Sequence, residues 1–315
     1  MLKSASKHYL RAMIATLTRA LPKGAQEAIL DGVVDGTDRF QSFQRIGSQL
    51  GVESVSVRGL NGLVWGSLLD YWVLGRYASR RRWATHTLDL FNQLFSNGGG
   101  TFLDIGANIG LTLFPVAQNA QVQCYGFEPE PRNFAYLTLG FQANCPHGNV
   151  VLKQLALFDR KDVLEFELSD SNFGDHRIRV KEADGVFEES SRTTISVSSD
   201  RLDKVLAGHQ LRRPLGTKID TQGAEPSIFR GGEETIGSAD VVALEFAPYL
   251  MKRMGGDVDA ELQTLAARFS EGAVALGESD ELPQWRSIAS VVEQLAAHWR
   301  NPEIATTYFD VLVRK

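Results

Sequence analysis

Acidic and glycine residues recur in three short stretches of this chain, each where a strand would hand over to a helix. They are TFLDIGANIG at 101–110, GFEPEP at 126–131 and KIDTQGAE at 218–225. In an open α/β sheet, ligands bind beyond the carboxyl ends of the strands, and the first strand-to-helix turn must let backbone come close to the ligand. Gly106 and Gly110 are placed to permit that approach. A dinucleotide fingerprint needs Gly-x-Gly-x-x-Gly, but Asn108 takes the second glycine position and Leu111 stands where the third would fall. A phosphate loop ending in Gly-Lys-Ser/Thr is absent too, which leaves nucleoside triphosphate hydrolysis little support. Asp104 would repel a pyrophosphate, whereas it could hold the cationic amino group of S-adenosyl-L-methionine, so the sign of the charge favours the sulfonium cofactor. Glu128 ends the next strand, where a carboxylate can accept hydrogen bonds from both ribose hydroxyls.

Methyl transfer from a sulfonium is an in-line displacement, so protein groups must align the acceptor and remove its proton. Asp220, at a strand end beside the expected methyl group, is the first candidate base, with capping of the turn before Gly223 as its structural alternative. Glu245 ends the following strand. With Asp220 and Glu225 it could converge on substrate or a divalent cation, although solvated or capping roles explain each acid separately, and no metal is expected. The segment NFGDHRI at 172–178 offers Asn172, a turn at Gly174, His176 as an alternative base and Arg177 to grip an acidic or hydroxylated acceptor. Asn172, Arg177, Gln222 and Glu225 are thus the candidate acceptor contacts. Arg80, Arg81 and Arg82 read as a solvated helix face, or else as a site for a phosphorylated acceptor. Trp65, Trp72 and Trp83 read as core or interface rather than as a sugar platform.

The elements that must position these residues follow from apolar spacing. Up to about Ser96 the pattern is mainly helical, interrupted by the polar stretch 31–38 and a glycine-rich turn at 59–62, and this part is read as an N-terminal extension. His8–Leu21 has helical spacing with Lys7, Arg11 and Arg19 among its apolar residues, so it packs on the domain or lies on a membrane surface. From residue 97 on, short apolar runs alternate with helical patterns, the signature of a doubly wound, mostly parallel sheet. Strands are expected at 101–104, 122–128, 150–154, 216–220, 240–245, 273–276 and 308–313, seven in all, with a polar, β-like insertion at 159–199.

Composition sets outer limits. In 315 residues, 43% hydrophobic and 23% charged, there is enough apolar material for one large α/β domain with an appendage. A formal net charge of −5 with interspersed signs gives no footprint for nucleic acid. Two cysteines, Cys124 and Cys145, are expected as free thiols in a reducing, cytoplasmic setting; the six scattered histidines give no zinc spacing. No apolar run is long enough to span a bilayer.

The ordered motifs DIGANIG, FEPEP and KIDTQGAE resemble the FkbM family of methyltransferases over roughly Asp70 to Phe246. The resemblance implies a seven-stranded class I, Rossmann-like fold, S-adenosyl-L-methionine as donor, and O-methylation of a hydroxyl on a sugar, polyketide or related small-molecule or glycan acceptor. It carries cofactor binding onto Asp104, Gly106, Ala107, Asn108, Gly110, Glu128, Pro129, Ala156 and Asp220, and brings Asp70 and Tyr71 towards the cofactor. Where the family commonly has an acid in Asp-Val-Glu-Gly-Ala-Glu, this chain has Gln222, which puts any role of that acid in doubt. An NAD-dependent sugar oxidoreductase or epimerase, and a cofactor-binding module without activity, stand as alternatives, and a homodimer is compatible with either.

Overall fold

The computed structural model describes residues 13–14, 16–30, 39–179, 185–276, 283–301 and 306–315. The polar stretch 31–38 and residues 8–12 and 15 of the proposed N-terminal helix at 8–21 lie outside these residues; 13–14 and 16–17 are helical and 18–20 form a turn, with Ile14 buried and Met13 and Leu17 exposed.

The extension is not wholly helical. Helices Lys23–Leu30 and Arg39–Leu50 are followed by an antiparallel hairpin, β1 (Ser54–Gly59) and β2 (Gly62–Ser67), whose turn is the glycine-rich stretch of the sequence. Val55, Val57 and Val64, in runs of β-favouring residues, supply its packing face. The chain then makes a π-turn at Tyr71–Gly75 and two helices, Arg76–Arg80 and Thr85–Leu94.

The remaining strands run β3 (Gly100–Ile105), β4 (Val122–Phe127), β5 (Val150–Lys153), β6 (Ala156–Leu157), β7 (Asp162–Glu167), β8 (Arg177–Ile178), β9 (Thr194–Asp200), β10 (Leu215–Ile219), β11 (Val241–Phe246), β12 (Glu271–Leu276), β13 (Arg286–Ser287) and β14 (Phe309–Arg314). The main sheet has the order β13-β12-β14-β11-β10-β3-β4-β5, so the seven expected strands are all present and the two-residue β13 adds an eighth. Strands β5, β4, β3, β10 and β11 are mutually parallel, and β14 enters antiparallel between β11 and β12. From β3 the chain winds one way through β4 and β5, then returns to the other side of β3 with β10 and β11, which makes the gap between β3 and β10 the topological switch point. The polar insertion folds as a second sheet in the order β6-β9-β7-β8.

Both faces of the main sheet are covered, as parallel strands require. Alternation along β3 and β4 sends Leu103, Ile105, Tyr125 and Phe127 to one face, with the insertion and the later helices, and Phe102 and Cys124 to the other. That second face is closed by the extension: Phe91, fully buried, lies with its ring centroid 4.6 Å from that of Phe102, amid Phe40, Val64, Leu74 and Tyr77. Cys124 and Cys145 are both buried free thiols. Among the described residues no helix is long and apolar enough to cross a membrane.

Because the extension shares a core with the sheet, we expect Phe91→Ala to cost about 3–5 kcal/mol in urea unfolding, the usual range for emptying an aromatic site. A loss below about 1 kcal/mol would show that the extension folds apart from the sheet.

Candidate functional site

The switch point opens into a cleft of about 720 Å³, within the usual size of a small-molecule site. Its floor comes from the carboxyl ends of β3, β4, β10 and β11; the insertion and the extension form its walls.

At the centre stands Lys218, a residue that the sequence motifs did not single out. Its strand neighbour in register is Asp104. The ammonium donates to the carbonyl of Gly106 at 2.8 Å and lies 3.5 Å from Asp104 Oδ1 and 3.4 Å from Asp220 Oδ2. Burial opposes its charge, but Asp220 and Asp104 outweigh burial and hold the ammonium pKa above its ordinary value. Asp104 itself is fully buried, and burial pushes its pKa up to about 6 against the pull of Lys218. The ammonium contact expected of Asp104 is therefore corrected: its carboxylate faces Lys218 behind the wall and does not line the cleft.

Both glycines serve packing of the protein against itself, and Gly106 also lines the cleft. Gly106 has φ 78°, and a Cβ there would sit 1.9 Å from the carbonyl oxygen of Asp220, so its absence lets the β3 and β10 turns close on one another. Gly110, at φ 92°, makes room for the Phe114 ring and does not line the cleft, contrary to the ligand approach expected of it. Ala107 and Asn108 do line it. Asn108 is in the left-handed region at φ 49°; its N–H donates to Glu128 Oε2 at 2.9 Å and its Nδ2 to Phe173 O at 3.0 Å.

Glu128 is buried in the cleft wall beside Pro129, and its other oxygen accepts from the Glu130 N–H at 2.9 Å. Burial pushes its pKa up to about 7. Ala156 lines the same end.

Of the three acids expected to converge, Asp220 and Glu245 meet, and they do so through Gln222. Gln222, at φ 57°, donates from Nε2 to Asp220 Oδ1 at 3.1 Å and to Glu245 Oε2 at 2.7 Å. Burial, then the nearby Asp220, Glu225 and Asp310, push the Glu245 pKa well up. Glu225 does not join them: it is fully buried outside the cleft lining and accepts from the Thr221 N–H and hydroxyl, at 2.8 and 2.9 Å. Its place is a helix-start cap, not an acceptor contact. Among the described residues no group of three or more His, Cys, Asp or Glu side chains is arranged to hold a metal ion.

In the 172–178 segment, Asn172 lines the cleft, its Oδ1 accepting from the Gly174 N–H at 3.2 Å. Arg177 is 2% exposed and locked against Glu167 at 2.8 Å and Asp175 at 2.7 Å, so the grip on an acceptor expected of it is corrected to an internal ion cluster. His176 lines the cleft but is no base. Its Nδ1 accepts from the Ser169 N–H at 3.0 Å, and burial lowers its pKa to about 3, leaving a neutral ring with the proton on Nε2.

The extension contributes more than expected. Asp70 is buried outside the cleft; it accepts from the N–H groups of Val73, Leu74 and Phe173 at 3.0–3.2 Å, and burial pushes its pKa up to about 6. Trp72 and Trp83 line the cleft, Trp83 while also packing against the core, with Arg76 4.4 Å over the Trp72 ring, and Arg80 and Arg82 line it too. Arg81 is turned away, at φ 59°, onto Arg58 O. His86 and Asp310 also reach the cleft, 2.9 Å apart. No spacing rule joins residues so far apart in the chain.

Removing one partner of a buried ion pair leaves the other uncompensated, so Lys218→Met should destabilise the chain by about 3–5 kcal/mol. Adding Asp104→Asn should recover part of that loss in urea unfolding, and no recovery would mean that Lys218 acts through other contacts.

No curated protein's sequence matches this one. Among solved structures, the chain is similar to a precorrin-6y C5,15-methyltransferase from Geobacter metallireducens (8% identity, 73% of this chain and 88% of that one, TM-score 0.36). It is also similar to TYW2 from M. jannaschii in complex with AdoMet (10% identity, 84% and 87%, TM-score 0.35) and TrmK from M. capricolum in complex with S-adenosyl-homocysteine (9%, 72% and 67%, TM-score 0.36). Likeness at this level leaves the assignment to the sequence profile of the methyltransferase FkbM domain, which matches residues 104–269, just over half of the chain. With the doubly wound sheet and the cleft at its switch point, that match makes the chain a member of the FkbM methyltransferase family, whose methyl donor is S-adenosyl-L-methionine.

Proposed function

We propose that this chain catalyses O-methylation of a hydroxyl on a small-molecule acceptor of the sugar or polyketide kind. The observation that carries the reading is the pair Asp220 and Glu245, joined through Gln222 on the cleft floor beside the Gly106 turn. S-adenosyl-L-methionine, when bound, supplies an electrophilic methyl group on a sulfonium.

The residues present suit that cofactor. Asp104, Lys218 and Asp220 together carry one net negative charge at the switch point, which attracts a cation and repels a phosphate. Each Glu128 oxygen accepts one backbone N–H and keeps a second lone pair for a ribose hydroxyl. At the reacting end, Asp220 takes the acceptor's proton while Lys218 and Gln222 hold its carboxylate in place. Glu245, its pKa pushed up by burial and the nearby Asp220, accepts from Gln222 and orients it. Asn172 meets the acceptor from the wall and Gln222 from the floor.

Isothermal titration tests the cofactor half. We expect micromolar binding of S-adenosylmethionine and its demethylated product and none of NAD; binding of NAD alone would overturn the reading. Ribose hydroxyls donate only to an ionised Glu128, whose pKa is about 7 in the free protein, so affinity should rise with pH up to about 7 and level off above it. Glu128→Gln should bind more weakly with a flat profile, and an unaltered profile would remove Glu128 from the ribose contact. With an acceptor in hand and cofactor at saturation, Asp220→Asn should slow turnover by about 10²-fold or more, and full turnover would remove Asp220 from the base role.

A further inference from the structure

Two side chains in the cleft wall carry buried polar atoms that nothing in the chain satisfies. Asn133, in the first turn of helix Pro131–Asn144, is 1% exposed; its Nδ2 donates to Phe173 O at 3.0 Å, which leaves Oδ1 an acceptor without a partner. His176 accepts at Nδ1 from the Ser169 N–H, which fixes its proton on Nε2, and that N–H is without a partner too. Both assignments are dictated by backbone groups whose polarity cannot be reversed, so one atom must be an acceptor and the other a donor. Native interiors seldom leave such atoms buried and unpaired without a ligand or water to meet them.

The two atoms belong to one corner. The Phe173 carbonyl takes the Asn133 amide, and the His176 ring lies 5.0 Å from the Phe173 ring. Asn133 and His176 line the same cleft as Glu128, Pro129 and Ala156, and Asn133 follows Glu128 on the same strand-to-helix turn. A ribose on Glu128 would therefore present its attached base to this corner. The ammonium of the cofactor's methionine part is drawn to the net negative charge of Asp104, Lys218 and Asp220. A neutral donor beside a neutral acceptor matches instead the edge of adenine, with its exocyclic amino group next to a ring nitrogen.

We propose that Asn133 Oδ1 accepts from the adenine amino group and that His176 Nε2–H donates to the adjacent ring nitrogen, so that this pair sets the base specificity of the cofactor site. The inference rests on the cofactor reading above. It gives His176 a role in recognition in place of proton abstraction, and gives the insertion a reason to reach over the first turn.

The test is calorimetric titration of the full chain with S-adenosylhomocysteine and with S-inosylhomocysteine, in which a carbonyl replaces the amino group and the neighbouring ring nitrogen bears a proton. The wild-type chain should prefer the adenosyl ligand by about tenfold or more, one unfavourable hydrogen-bond reversal being worth about that factor. His176→Phe and Asn133→Leu should each shrink the preference, while His176→Gln, which keeps a donor amide, should retain most of it. Equal binding of both ligands by the wild-type chain would overturn the proposal whether or not the variants fold, and so would an undiminished preference in both variants. Failure of the wild-type chain to bind either ligand would sink the cofactor reading and this inference with it.

Discussion

The site is organised around one buried cation. Lys218 sits where the winding direction of the sheet reverses, and its ammonium ties the end of β3, through Asp104 and the Gly106 carbonyl, to the end of β10, through Asp220. Parallel strands cannot be joined by a tight turn, so the carboxyl ends of β3 and β10 have no short chain connection to fix their spacing. The parallel ladder and the Asp220 N–H to Ile105 O bond set that spacing, the ion cluster ties the side chains across it, and the missing Cβ of Gly106 lets the two backbones meet at the required distance. The same cluster leaves one negative charge at the mouth of the switch point. Stability and cofactor preference are thus two consequences of one arrangement.

A second tie closes the cleft from above. The Phe173 N–H donates to Asp70 of the extension, while its carbonyl accepts from Asn108 of the first turn and Asn133 of the following helix. Three segments therefore meet on a single peptide of the insertion. Tyr71 N–H adds a fourth strap, to Ser171 O at 2.9 Å. The wall that faces the adenine end is built in advance of ligand, which lowers the ordering cost of binding. Elsewhere the cleft is lined by Trp72, Trp83 and three arginines and by the Asp220 and Glu245 pair on its floor.

Burial near the site runs against ordinary ionisation. Asp70, Asp104, Glu128 and Glu225 all have pKa values raised to between about 6 and 7 by desolvation, each while accepting backbone N–H groups or facing an ammonium. Perturbed groups cluster where a protein does chemistry, but here they divide by exposure to the cleft. Glu128 reaches it, whereas Asp70, Asp104 and Glu225 stand behind its wall and hold turns in place.

The sequence by itself determined the sheet: alternation and apolar runs placed all seven expected strands within a few residues, and the glycine turn, Glu128 and the Asp220 segment fell at strand ends as their spacing required. These signals are local, set by the two-residue period of strands and by turn chemistry over a handful of positions. Val55 and Val57 were open to the same reading, but β1 and β2 are short and lie in a stretch dominated by helical spacing. What only the tertiary structure decided were contacts between distant residues: Lys218 with Gly106, 112 positions apart, and Phe173 with Asp70, 103 apart. Those contacts moved Asp104, Gly110, Arg177 and Glu225 from ligand contacts to supports, and turned His176 from a base into a donor. The physical reason is that a side chain's type fixes what it can do, while burial and hydrogen-bond partners, which come from other parts of the chain, fix which of those things it does.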